Sequence, residues 1–461
     1  MADSSALLHS HSRPKYQSCL SIVVSSLGLA IDFYDISMIA CVKSLLVQQY
    51  GAMSDLENST LSASALVGAT VGQLVIGALG DCLGRRAMFI TCALLTFFGA
   101  ALSAAVKSDD ASNVYWSLIA YRFVMGFGIG GEYPIAASHT VENVDAERSA
   151  QSLATVALSF PLGAIVAPAL VWICLSVGAS GEFTWRFAFA FGAVASFASF
   201  LLRYTKVQNS AAFNDAREKR TCKKSLHMLR RFAKPFIGVS GCWFLYDVIT
   251  YGLALFSAEI SAGASHTSVK DSVFQVLLYS FMAVPGACFA ISAIPFFGRK
   301  LTLLVSLSIM LILYMVLSVF LDNLPMWLFT VLYGLQLIFD RIGPLPLSFM
   351  LPVEIFPTEV RATAHGAAAA TGKCGAIVGA YVVGILKSSF GMQAVFSFMC
   401  IVTFAEIMWI FVLVPNYNSS TLKHLEDMHN SLSDTQLDEL LYGRMSVDVQ
   451  LQSESWPECK L

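Results

Sequence analysis

Apolar residues in this chain come in long runs, centred on residues 19–41, 60–80, 87–106, 114–139, 150–177 and 184–203, then on 235–261, 271–297, 301–321, 326–351, 364–386 and 391–414. Each run approaches or exceeds the ~20 residues a helix needs to cross a ~30 Å hydrocarbon core. Backbone polar groups find no water at that depth, so every run is predicted to be helical. Six runs precede a polar stretch from Arg203 to Lys234, and six follow it. The pattern predicts an all-α membrane protein of twelve transmembrane helices in two pseudo-symmetric six-helix bundles. Its expected parts are an N-terminal segment at 1–18, bundles at 19–203 and 235–415, a basic central loop at 204–234 and a tail at 416–461.

Composition agrees, with 56% hydrophobic and only 13% charged residues, where a soluble domain carries roughly 25% charged. The few basic residues fix an orientation. Arg217, Lys219, Arg220, Lys223, Lys224, Arg230 and Arg231 crowd the central loop, and Arg85, Arg86, Arg148, Arg299, Lys300 and Arg361 fall on the same expected side. By the positive-inside bias that side is cytoplasmic, and an even number of spans puts both termini there too. The sequon Asn58-Ser59-Thr60 falls on the opposite, outer side. A net charge of −2 offers no basic field for nucleic acid. Eleven cysteines and eight histidines are dispersed, without a CxxC pair, so neither a metal site nor a cofactor is expected. The polar N-terminus lacks the order of a cleavable signal peptide, and the first run is expected to stay as a helix. A multi-pass protein moving a small solute follows, with no catalytic constellation for an enzyme.

Ionisable residues inside the runs carry the candidate chemistry, because a charge at mid-membrane costs about 3 kcal/mol or more unless it faces a wet cavity or a partner. The fourth run holds Gly126, Gly128, Gly130, Gly131, Glu132, Tyr133 and Pro134. The seventh places Trp243, Asp247 and Tyr251 four residues apart, on one helical face. Asp32 and Asp35 share a side of the first helix, and Lys373 is the buried cation of the eleventh. Between the second and third runs stands Gly77-Ala-Leu-Gly80-Asp81-Cys-Leu-Gly84-Arg85-Arg86, echoed by Gly298-Arg299-Lys300. Glu142 with Arg148 is likewise echoed by Glu354 with Arg361. Asp81, Arg85, Arg86, Glu142, Arg148, Glu354 and Arg361 are therefore the candidate gating residues. Duplicated halves with a site between them at mid-membrane are a recurring transporter plan.

The Gly77–Arg86 segment resembles the loop signature of the major facilitator superfamily. Together with Gly130-Gly-Glu-Tyr-Pro134, the Asp32/Asp35 pair, the Trp243/Asp247/Tyr251 face, Pro352–Gly366 and Gly372-Lys373-Cys-Gly375, it resembles the phosphate:proton symporter family over roughly residues 20 to 415. The resemblance implies the major facilitator fold and an acid at Asp81 that meets the positive end of a facing helix to hold the inner gate shut. It implies phosphate and protons as partners, with Glu132, Tyr133, Trp243, Asp247, Tyr251 and Lys373 around the anion or its proton route. Of these, Tyr133, Trp243, Asp247, Tyr251 and Lys373 are the candidate anion site, and burial makes Asp32, Asp35, Glu132 and Asp247 the candidate proton carriers. A monomer in the plasma membrane is expected, without a cofactor. Two positions depart from the family: Phe160 stands where it has a glutamine and Leu345 where it has an asparagine. Ser159, Ser348 or the Asp340-Arg341 pair are candidates to compensate. An organic solute, such as a glycerophosphodiester, a sugar or an organic ion, is the alternative cargo, and a phosphate receptor without transport is the alternative class. Glu132, Asp247 and Lys373 are expected to converge on one aqueous chamber.

Overall fold

Polar punctuation between the apolar runs sets where helices begin and turn. The computed structural model describes residues 15–219, 227–228, 230–254, 268–417, 436–437, 439 and 441. Arg220, Lys223 and Lys224 of the basic loop, residues 1–14 and most of the amphipathic tail segment read at 422–441 lie outside the described residues. The first helices are α1 (Lys15–Tyr50), α2 (Asp55–Leu83), α3 (Arg85–Ala105) and α4 (Ala111–Asn143). Ser54 opens α2 with a capping box, its side chain accepting from the Glu57 N–H while Glu57 reaches back. Asn58 of the sequon falls in the first turn of α2. Between α2 and α3, Gly84 takes φ 104°, a conformation that only glycine adopts at little cost.

The fifth apolar run is two helices, α5 (Ser149–Ala157) and α6 (Ser159–Ser176). Pro161 explains the break: it has no N–H for the Ala157 carbonyl four residues back, and its ring crowds that carbonyl. Then come α7 (Gly181–Lys206), the short α8 (Ala211–Lys219), α9 (Ala233–Ala254), α10 (Val269–Phe297) and α11 (Arg299–Phe320). The tenth run is divided as well, into α12 (Met326–Ile342) and α13 (Pro344–Ile355), with Gly343 and Pro344 at the joint. α14 (Arg361–Leu413) is interrupted at Gly391, whose φ of 82° separates arms at 361–390 and 392–413. Among the described residues, ten stretches are long and apolar enough to cross a membrane.

Packing follows residue size. α4 lies on α2 because Gly130 bares its backbone: a Cβ there would sit 2.0 Å from the Ala69 carbonyl oxygen. Such close approach is how membrane helices gain contact where lipid is as apolar as their side chains. α14 meets α2 in the same way at Gly366, where a Cβ would lie 2.2 Å from the Gln73 carbonyl oxygen. Thus α14 touches both α9, its neighbour in the second half of the chain, and α2 in the first. Outward-facing apolar side chains such as Phe281, Phe289, Phe296 and Ile312 form a surface fit for lipid and not for water.

Candidate functional site

Lys373 sits in the middle of the first arm of α14 and is only 3% exposed. Its ammonium donates to Asp247 Oδ2 at 3.0 Å and to the Tyr251 hydroxyl at 2.9 Å, both on α9. It also lies 4.3 Å from the Tyr251 ring centroid and 5.9 Å from that of Tyr133 on α4, within cation–π range. The helical spacing of Trp243, Asp247 and Tyr251 does present one face to α14. Gly372 leaves room for that face, since a Cβ would meet Trp243 Cδ1 at 2.5 Å. Trp243 packs edge-on against His365, 5.4 Å between centroids. His365 in turn bonds the Phe349 carbonyl.

Two features bear on a ligand. The Tyr133 hydroxyl is buried and makes no hydrogen bond among the described residues, an expensive condition for a polar group unless something else occupies it. Beside it, Phe160 stacks on Phe33 (4.5 Å) and on Tyr133 (5.9 Å) and meets Phe349 edge-on (5.5 Å). Phe160 thus stands as an apolar wall against Tyr133, with Leu345 also buried. Ser159 commits its hydroxyl to the Val156 carbonyl, so it does not replace a lost amide. Asp340 pairs with Arg341 at 2.8 Å, and Arg341 reaches Tyr246 at 3.5 Å.

Glu132 does not join Lys373 and Asp247. It points into a separate small chamber within the first half, where Arg203 of α7 grips both its oxygens, one bond measuring 2.7 Å. Asp32, Thr96, Ser196 and Ser199 line the same space. The expected single chamber is therefore two sites, parted because Glu132 and Tyr133 are consecutive and leave the α4 axis about 100° apart. Asp35 is fully buried near Arg122 of α4.

At the helix ends around Gly84 and Gly298 the candidate gating residues form a lattice. Asp81 accepts from Arg85 (2.7 Å), from the Ala362 and Thr363 N–H groups (3.2 and 2.8 Å) and from the Thr363 hydroxyl (2.6 Å). It is an N-cap for α14 supplied from another helix. Glu142 pairs with Arg85 at 2.7 Å and with Arg361 at 3.8 Å, while Arg299 pairs with Glu354 at 2.8 Å. The repeated Glu142/Arg148 and Glu354/Arg361 features are used differently in the two halves: Arg148 is exposed, whereas Arg361 crosses to Glu142. Arg86 bonds the Tyr204 carbonyl. Ser149 ties α5 to Glu354 at 2.7 Å, so the lattice joins the two halves of the chain.

The sequence pattern of the Major Facilitator Superfamily matches residues 25–339, and that described as "Sugar (and other) transporter" matches residues 252–429. The chain belongs to the Major Facilitator Superfamily. Among curated relatives, inorganic phosphate transporter 1-11 of Oryza sativa subsp. japonica is 28% identical over 446 residues, covering 81% of this chain and 80% of that protein. Glycerophosphoinositol permease 1 of Candida albicans is 28% identical over 422 residues, covering 88% and 80%. The fold is that of a superfamily proton:xylose symporter solved with 6-bromo-6-deoxy-D-glucose, with a TM-score of 0.77 at 16% identity over 93% of this chain and 99% of that one.

Superfamily membership makes the chain a membrane transporter and not an enzyme. Several of its site residues escape sequence reading. Arg203 looks like the first residue of the basic loop, yet it is 1% exposed on the last turn of α7; the apolar run that ends on it was the available signal. Ser210 and Tyr417 follow the last helix of each half and do equivalent things. Ser210 donates to Glu142 at 3.2 Å, and Tyr417 donates to Glu354 at 3.0 Å. Burial, then the adjoining Glu354 charge, pushes the Tyr417 hydroxyl up from its ordinary value, so it remains a donor.

Proposed function

We propose that the chain carries inorganic phosphate together with protons across the plasma membrane by alternating access. It acts as a single chain of twelve spans, with bundles at 19–203 and 235–415 and both termini cytoplasmic. The observation that carries the reading is the buried Lys373 ammonium 5.9 Å from the ring centroid of Tyr133, whose hydroxyl has no hydrogen-bond partner among the described residues. An anion entering between them gains a point charge from Lys373 and donors from Tyr133, Tyr251 and Trp243. Asp247 sets the condition for entry. While ionised it neutralises Lys373; once it takes a proton, the ammonium is released to the anion. Loading and proton uptake thus favour the same state, and the two halves rock about the filled site. The phosphate transporters among the relatives support the choice of cargo.

The experiment is uptake of radiolabelled phosphate by proteoliposomes under an inward proton gradient, with accumulation expected only when the gradient is present. Phe160→Gln restores an amide to the anion site. A hydrogen bond to a charged group contributes about 1.5–3 kcal/mol, so the KM for phosphate is expected to fall roughly ten- to a hundredfold, and an unchanged KM would place Phe160 outside the site.

A second reading rests on the Phe33, Phe160 and Phe349 wall. An organic phosphodiester would bring one negative charge for the one lysine and an apolar or polyol group for the rings, and the glycerophosphoinositol permease among the relatives fits it. Competition decides: a glycerophosphodiester that blocks phosphate uptake at lower concentration than phosphate itself favours this cargo.

A further inference from the structure

Counting charges in each buried cluster separates them into two kinds. Asp247 has Lys373, Asp340 has Arg341 and Glu354 has Arg299, so each of these acids is balanced by one cation. Among the described residues Glu406 is fully buried against Cys242 with no ion-pair partner, and the chamber of the first half also falls short of cations, because Asp32 and Glu132 there face a single one, Arg203. The other polar groups around it do not restore the balance. Cys92 on α3 and His139 on α4 lie within its field. His139 holds its Nδ1 2.8 Å from the Ser21 hydroxyl and sets its ring edge-on to Phe89. Asp35, one turn along α1 from Asp32, faces Arg122. Asp32, Glu132 and Arg203 are all buried, and for buried groups an unbalanced charge is far more costly than a bound proton. Two carboxylates and one guanidinium therefore hold one proton.

The local geometry is built for that proton to change places. Arg203 is anchored by its Nη1 bond to the Phe89 carbonyl at 3.2 Å and by stacking on the Phe89 ring at 4.7 Å. Its Nε makes no hydrogen bond among the described residues, and neither does Asp32 Oδ2. Gly28 leaves the space the guanidinium and Glu132 occupy, since a Cβ there would overlap both. The hydroxyls of Ser196 and Ser199 are also buried and unsatisfied among the described residues, as groups that bond a transient water would be.

We propose that Asp32, Glu132 and Arg203 form a one-proton store in which Arg203 alternates between the two carboxylates as the proton moves from one to the other. Arg203 bonds both oxygens of Glu132, so this arrangement corresponds to the state of the store with Glu132 ionised and the proton on Asp32. Transfer leaves Asp32 ionised and Glu132 neutral, and the guanidinium follows the charge; no proton or charge is lost in the exchange. Arg203 is thereby a positioning residue for coupling. This deepens the proton-coupled reading above and rests on it for its role in transport, although the store itself does not depend on the cargo.

The test has two readouts. Infrared spectra of the purified full-length chain report protonated buried carboxyls by a carbonyl band. Relative to wild type, that band is expected to lose one carboxyl in Asp32→Asn and in Glu132→Gln, each of which leaves a balanced pair, and to gain one in Arg203→Gln. Spectra of Asp32→Asn and Glu132→Gln that match wild type would overturn the store. In proteoliposomes, Arg203→Gln is expected to lose at least tenfold in gradient-driven accumulation while exchange of internal for external phosphate stays within about threefold. Arg203→Lys, which keeps the charge, is expected to retain coupling. Accumulation and exchange falling in parallel would make Arg203 merely structural. If wild type itself ignores the gradient, the proposed function fails, and the infrared result still decides the store.

Discussion

Lys373→Ala is expected to lower the rate of phosphate uptake at least a hundredfold. The substitution removes the cation that an entering anion would meet and strands Asp247, which is 1% exposed. Breaking a buried pair by deleting one partner costs about 3–5 kcal/mol, and each 1.4 kcal/mol is a factor of ten. Lost stability and lost function are separable by the double variant Lys373→Ala/Asp247→Asn. With no stranded charge it should recover the melting temperature of wild type, measured by size-exclusion chromatography after heating, and remain inactive. An active double variant would show that the lysine serves packing alone.

Asp81→Asn is expected to open the cytoplasmic side. Asp81 caps the N-terminus of α14 from across the molecule and balances Arg85, which is fully buried. A carboxylate at a helix N-terminus in a partly buried setting contributes up to ~2 kcal/mol, and that energy exists only while α2 and α14 are together. Its loss moves the equilibrium between gate-closed and gate-open states by about 30-fold. Labelling of a cysteine introduced at Gln73, whose backbone packs against Gly366 of α14, measures the shift with a membrane-impermeant thiol reagent applied from the cytoplasmic face after exposed native cysteines are replaced. Labelling should speed up in Asp81→Asn, and an unchanged rate would remove Asp81 from the gate.

Legibility in the sequence tracked how local the determining physics is. Long apolar runs marked the spanning helices, and the four-residue spacing on α9 put Asp247 and Tyr251 on one face, where both meet Lys373. The meeting of Asp81 with a facing helix end came from the resemblance of the Gly77–Arg86 segment to the superfamily's loop signature, and not from local residue physics. Partner choice between distant helices was not readable. Glu132 and Tyr133 are neighbours in sequence, and only the rotation of α4 decides that one meets Arg203 while the other meets Lys373. Arg203 itself lies at a run's edge, where a loop arginine and one reaching back into the bundle look alike. The breaks before Ser159 and at Gly343 had local causes in Pro161 and Pro344, yet hydropathy alone passed over them.

Proton-coupled carriage of phosphate through the Lys373 site is tested most directly by initial rates of radiolabelled phosphate uptake into proteoliposomes, measured for wild type and Asp247→Asn with and without an inward proton gradient. The expected result is gradient-dependent accumulation by wild type that Asp247→Asn abolishes. Equal uptake with and without the gradient, or undiminished accumulation by Asp247→Asn, would contradict it.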